Sequence, residues 1–193
     1  KAINRYKRHT FEISGDKIEK LDKLKKLITK ISNCKLKDNA TNIVFADGNP
    51  KSKIMLVGEG PGFNEDQEGL PFVGRAGLLL DKMLASINLD RKDVYITNVV
   101  NYRPPDNRRP TDDEIARYLP FLKKHIEIIS PKILVLLGST ALNSLIGNEK
   151  TISKVRGKWI DKKIGECKIS IIVTFHPAFL MRQPAQKKMA WID

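Results

Sequence analysis

Cysteine is scarce in this chain: among 193 residues only Cys34 and Cys167 occur, far apart and at no paired spacing. That excludes a disulfide framework, offers no zinc-ligand pattern and points to a reducing compartment. Long apolar runs are missing as well. Nothing approaches the roughly 18 residues of a membrane-spanning helix, and the opening KAINRYKRHT has no apolar stretch of the signal-peptide kind. Acidic charge is short, with 22 Asp plus Glu against 35 Lys plus Arg and a net charge of +13. The field of such a chain attracts polyanions and makes binding salt-dependent, so nucleic acid is the first partner to consider. A lysine-rich solvated surface gives the same composition, and motifs must decide between the two.

What is present suits a single domain with a sizeable core. Residues 1–16 are polar and aperiodic and read as an N-terminal arm, leaving 17–193 as one domain. The chain begins without Met and stops at MAWID inside a helical pattern, so further residues are expected at both ends. From Lys17, the apolar residues Ile18, Leu21, Leu24, Leu27, Ile28 and Ile31 recur at helical spacing with lysines opposite. Four short branched runs follow, at 54–57, 94–100, 133–137 and 169–175, separated by helical patterns at 76–87, 112–129 and 139–146. Strands of this kind, buried on both faces and alternating with helices, predict an α/β fold: a three-layer α/β/α sandwich around a four-stranded parallel sheet. Ligands of such sheets bind beyond the carboxyl ends of the strands.

The segments after the strands are therefore the places to look for chemistry. VGEGPGFNEDQEGLPFVGRAG (57–77) alternates Gly58, Gly60 and Gly62, but Phe63 stands where a dinucleotide loop needs glycine, and no Gly-Lys-Ser/Thr follows. Glu59, Glu65, Asp66 and Phe72 share this long loop, and loops of such length are usually functional. In ITNVVNYRPPDNRRP (96–110), Asn98 ends a strand; its amide carries the donor and the acceptor that match O4 and N3–H of a pyrimidine, or it satisfies turn backbone. Arg103, Arg108 and Arg109 can fork onto phosphates or form a solvated rim. TFHPAFLMRQP (174–184) brings His176 and an apolar tip, Phe179-Leu180-Met181, followed by Arg182. Such a tip fits a wedge entering a base stack, or it packs inward.

Together, GEGPGFNEDQEGLPFVGRAGLLL, YITNVVNYRPPDNRRPTDDEI and HPAFLMRQPAQKKMAW resemble, in order and spacing, the motifs of the family 4 uracil-DNA glycosylases. The resemblance covers roughly 28–193 and implies a DNA repair enzyme that flips uracil out of single- or double-stranded DNA. It hydrolyses the N-glycosidic bond and leaves an abasic site. It further implies that Phe72 stacks on the base, that Asn98 reads its O4 and N3–H edge, and that His176 stabilises charge growing on O2. Glu59 and Gly60 fall where the family contacts the base and places the water, and Glu65 where it lines the pocket near C5. Arg75, Arg103, Arg108, Arg109 and Arg182 are expected on phosphates, and Leu180 with Phe179 and Met181 is expected to be the wedge. A monomer without a membrane anchor, in the cytoplasm with the DNA, is the matching expectation.

The chain departs from the pattern at one place. Most family 4 enzymes hold a 4Fe-4S cluster on four cysteines, and the corresponding positions here are Ile31, Cys34, Tyr102 and Tyr118. One thiolate cannot hold a cluster, so no cofactor is expected, with packed aromatic and aliphatic groups in its place. Two other readings remain: a non-catalytic DNA-binding module of the same fold, and a glycosylase of altered base specificity. A relative that traps the abasic product is disfavoured by the ordinary spacing of RPPDNRRPTDDEI, and a phosphate-loop enzyme by the missing lysine.

Overall fold

Local signals in the sequence start the elements. In the computed structural model, which describes residues 12–193, helix α1 (Lys17–Thr29) begins where Asp16 accepts the Glu19 N–H at 2.9 Å and Glu19 accepts the Asp16 N–H at 3.2 Å. This reciprocal cap satisfies two otherwise orphaned donors. Residues 1–11 of the expected arm lie outside the described residues, while Ile13 already packs against the core. Helices α2 (Lys35–Asn39), α3 (Phe63–Glu68), α4 (Arg75–Ala85) and α5 (Asp112–Ile129) follow, then α6 (Ser139–Leu145), α7 (Ile152–Val155), α8 (Pro177–Arg182) and α9 (Lys187–Ile192).

The strands are β1 (Asp47–Gly48), β2 (Ile54–Gly58), β3 (Tyr95–Asn98), β4 (Ile133–Leu137), β5 (Ile160–Ile164) and β6 (Cys167–Thr174). They form one sheet in the order β1-β3-β2-β4-β6-β5. The expected parallel four are β3, β2, β4 and β6, and two antiparallel edges, β1 on β3 and β5 on β6, enlarge the sheet to six. Neither edge carries an apolar run. β1 has two residues, and β5 reads IDKKI, with its charges on an exposed outer edge where they deter further pairing.

Alternation along the strands sends side chains to two faces. Met55, Val57, Tyr95, Leu134, Leu136 and Ile171 join α1, α5 and α6 in the larger core, whereas Leu56, Ile96 and Leu137 meet Leu80 and Leu84 of α4. The architecture is the expected α/β/α sandwich. Within the larger core, His125 of α5 is 2% exposed, its ring lies 4.5 Å from that of Phe45, and its Nε2 shares a 2.8 Å hydrogen bond with the Tyr95 hydroxyl. Burial pushes this imidazole down to about 3, so it is neutral in the fold.

The unfolded chain takes up a proton at His125 near the usual value of about 6.5 while the folded chain refuses it, so stability from this group is complete above that pH and is lost below it. The urea midpoint is expected to fall from pH 6.5 toward 4, with a shallower slope in His125→Phe. A midpoint flat across that range contradicts the assignment.

Candidate functional site

Among the four parallel strands, the chain enters at β2, moves outward to β3, then crosses back to β4 and on to β6. The connections therefore part company between β2 and β4, which is where an open α/β sheet forms its ligand crevice. A cavity of about 530 Å³ opens there, lined from β2 by Glu59 and Gly60, from β3 by Asn98, from β4 by Gly138 to Thr140, and from β6 by His176. Glu65 of α3 and Phe72 of the turn after it close it, so the segment expected as one long loop after β2 contains a helix. Three dispersed motifs thus become one site, joined by a fourth strand end whose residues the motif reading passed over.

Asn98 is 3% exposed, and among the described residues its Oδ1 is the one buried side-chain nitrogen or oxygen without a hydrogen-bond partner. An acceptor so placed costs on the order of 1–3 kcal/mol until a donor reaches it. The Phe72 ring, 5% exposed, lies beside it across Gly58: a Cβ at Gly58 would stand 2.5 Å from both Asn98 Oδ1 and Phe72 Cζ. Only a residue without a side chain lets the amide and the ring converge there.

His176 caps α8, its Nδ1 accepting the Ala178 N–H at 3.1 Å. An acceptor Nδ1 leaves the proton of the neutral ring on Nε2, which is then a donor. Burial foremost, then the charge of Arg182, lowers this imidazole to about 4, with Glu65 opposing. At neutral pH, His176 is an uncharged donor whose ring centroid lies 5.5 Å from that of Phe72.

The two glutamates divide. Glu65 takes the Val73 N–H at 3.0 Å and the Gly74 N–H at 2.8 Å on one oxygen, and the Gly62 N–H at 3.1 Å on the other. It lines the cavity, but as the brace that folds the loop over it. Glu59 meets the cavity with a carboxylate bonded at Oε2 by the hydroxyl of Thr140, which is 2% exposed at the start of α6. Thr140 carries no sequence signature, since GSTALNSL reads as an ordinary helix start.

The arginines are scattered. Arg108 and Arg182 line the cavity, whereas Arg75, Arg103 and Arg109 lie outside it. Arg108 forks onto Glu114 at 2.7 and 2.8 Å, and Arg103 lies over the Phe63 ring, 5.2 Å from its centroid, while bonding Asn107 at 2.7 Å. The wedge needs correction at its central residue. Leu180 is 1% exposed, because the supposed loop tip is helix α8, whose apolar side packs toward α4. Phe179 lines the cavity against Phe175, 4.9 Å between centroids, and Met181 is half-buried.

Comparison with known proteins gives the family. The model of the Uracil DNA glycosylase superfamily matches residues 45–193, and the chain belongs to that superfamily. Within it, the chain is 48% identical over 156 residues to the type-4 uracil-DNA glycosylase of Thermotoga maritima, covering 80% of each. It is 44% identical to that of Sulfurisphaera tokodaii, over 89% of this chain and 80% of the relative, and 42% identical to that of Archaeoglobus fulgidus, over 86% of each. The chain is a member of the type-4 family.

The four positions aligned with the family's cluster ligands all lie in the larger core, with Ile31 8%, Cys34 4%, Tyr102 5% and Tyr118 0% exposed. Cys34 Sγ lies 3.3 Å from the Tyr118 hydroxyl. Burial, followed by the proximity of Cys34, pushes both phenols up. Neutral phenols and an isoleucine packed around one thiol do not fit a cluster that needs thiolate ligands. Among the described residues, no three His, Cys, Asp or Glu are grouped to hold a metal ion.

Thr140→Val leaves Glu59 Oε2 without its donor and frees the carboxylate to swing, so turnover is expected to fall about tenfold, the value of a hydrogen bond to a charged group. Thr140→Ser is expected to restore it. Steady-state kinetics of both variants check this, and equal rates in wild type and Thr140→Val contradict it.

Proposed function

We propose that the chain is a monofunctional hydrolase that removes uracil from DNA, leaving an abasic site. The observation that carries this reading is the buried, partnerless Oδ1 of Asn98 at the bottom of a cavity of about 530 Å³. Uracil N3–H is the donor it lacks, and the amide nitrogen of the same side chain matches O4. Cytosine exchanges donor and acceptor on that edge and leaves buried polar groups unpaired, which is how a small site discriminates strongly.

Extruding the base from the duplex costs a few kcal/mol, offset by stacking on Phe72 and by the edge contacts of Asn98. As the C1′–N1 bond stretches, its electron pair moves into the uracil ring and charge gathers on O2. The Nε2–H of neutral His176 faces that charge as a fixed donor, stabilising it without a proton leaving the ring. Glu59, held by Thr140 at one oxygen, offers the other to a water that attacks C1′; the water's proton passes to the carboxylate as the sugar gains the hydroxyl. Gly60 keeps this stretch of backbone open to the base. No step uses a metal, and we assign the packed site of Ile31, Cys34, Tyr102 and Tyr118 a structural role without a 4Fe-4S cluster.

DNA, with a net charge of +13 drawing it in, is held by Arg75, Arg109 and Arg182, with Arg103 and Arg108 available once released from Phe63 and Glu114. Phe179 and Met181 take the place of the extruded base in the stack. Among the described residues no helix is long and apolar enough to cross a membrane. A monomer in the compartment that holds the DNA completes the proposal.

Incubation with single- and double-stranded oligonucleotides carrying one uracil, followed by alkali and gel electrophoresis, is expected to give cleavage at the uracil. Salt-sensitive binding without cleavage instead marks a binding module. Asn98→Ala and His176→Ala are each expected to lower excision by about a hundredfold or more, as loss of a preorganised donor does, with DNA affinity nearly unchanged. Purified protein is expected to be colourless, free of iron and indifferent to chelators; stoichiometric iron with loss of folding on its removal contradicts the cluster-free assignment.

A further inference from the structure

Phe72 has a backbone that aromatic residues avoid, with φ at +55°. For a bulky residue this is a strained conformation, and it persists only where the surroundings over-determine it. Two contacts do so. The loop folds back so closely that a Cβ at Gly77 would stand 1.8 Å from the Phe72 carbonyl oxygen, which only glycine permits. That same oxygen accepts a hydrogen bond from Nη2 of Arg91, a residue of the single-turn 3₁₀ helix Arg91–Asp93 that leads into β3.

The guanidinium is itself anchored. Nη1 donates to the Pro71 carbonyl at 3.0 Å and to Asp47 of β1 at 2.8 Å, and Nε donates to Asp81 of α4 at 2.8 Å. Its planar fork spans two consecutive carbonyls, a geometry an ammonium cannot reproduce. On the other side, Glu65 holds the next two N–H groups, of Val73 and Gly74. Phe72 is therefore gripped through its backbone from both sides, by Arg91 from the sheet edge and by Glu65 from helix α3. Neither grip touches its ring.

We propose that Arg91 is the positioning residue for the base-stacking ring of Phe72: by clamping the carbonyls of Pro71 and Phe72 it fixes the plane of the ring over the cavity. This deepens the glycosylase reading and rests on Phe72 stacking on the base. A stacked base must lie in van der Waals contact with the ring, so a small rotation of its backbone opens a gap that costs rate rather than DNA affinity. Arg91 touches no substrate.

A double-mutant cycle tests it. Arg91→Lys keeps a cation between Asp47 and Asp81 but loses the fork, and is expected to lower single-turnover excision of a uracil oligonucleotide about tenfold or more with KM little changed. In a Phe72→Leu background the same substitution is expected to cost no more than about twofold, because the ring it positions is gone. Equal losses in both backgrounds overturn the clamp and leave Arg91 a general stabiliser. Phe72→Leu by itself reports on the stacking: if it excises as fast as wild type, that reading fails whatever Arg91 does. Should Arg91→Lys not fold, Asp81→Asn, which loosens the guanidinium at one anchor, carries the same cycle, with a smaller loss that again must vanish without the Phe72 ring.

Discussion

An unpaired acceptor buried at the end of a strand is the constraint around which the molecule is organised. Asn98 Oδ1 reaches no donor within the protein, and a buried acceptor of this kind calls for a partner from outside the chain, a ligand or a water. The neighbouring polar groups show how unusual it is. Asn101, three residues on and 4% exposed, donates to the Val44 carbonyl at 3.1 Å, and Thr97 donates to the Phe45 carbonyl at 2.7 Å. Both satisfy the loop that crosses beside β3; Asn98, facing the cavity, is left open.

Much of the surrounding structure keeps that opening in shape. The sheet delivers Glu59, Asn98, Thr140 and His176 from four parallel strands to one end, where the topological switch parts the loops. The long loop after β2 then has to lie across them with its strained phenylalanine, and it is secured through backbone atoms by Glu65 and Arg91. His176 is secured likewise, its Nδ1 engaged by a helix N–H so that Nε2 alone carries the proton. Fixed donors and acceptors of this kind need no reorganisation when charge develops, which is their value in the proposed mechanism. Elsewhere in the larger core, Tyr118 and Tyr102 pack beside Cys34.

Much of this was legible in the sequence because periodicity and turn chemistry are local. Helix α5 runs over the predicted 112–129, since Thr111 and Glu114 form its capping box and Ser130 ends it in the left-handed region. The four branched runs became the parallel strands. What escaped has physical reasons. β1 and β5 pair as edges through backbone alone and need no apolar signature. Phe179-Leu180-Met181 looks like an apolar loop tip in the sequence, yet His176-Pro177 is a helix start, with Pro in the first turn where its missing N–H costs nothing. Thr140 acts through one bond to Glu59 and Arg91 through a fork onto Asp47, Pro71, Phe72 and Asp81, partners set by the fold rather than by adjacent sequence, and nothing in their own neighbourhoods distinguishes them. Glu65 was legible as a pocket residue and not as a brace, since its partners are backbone amides that no side-chain pattern records.

The most direct test of the central claim is to titrate free uracil into protein whose Asn side-chain amides are isotopically labelled and to follow the Asn98 carboxamide by NMR. The account predicts that uracil shifts the Asn98 resonances and slows exchange of its own N3 proton, while cytosine, with donor and acceptor exchanged on that edge, does so much more weakly. Binding of uracil that leaves the Asn98 carboxamide unperturbed would contradict it.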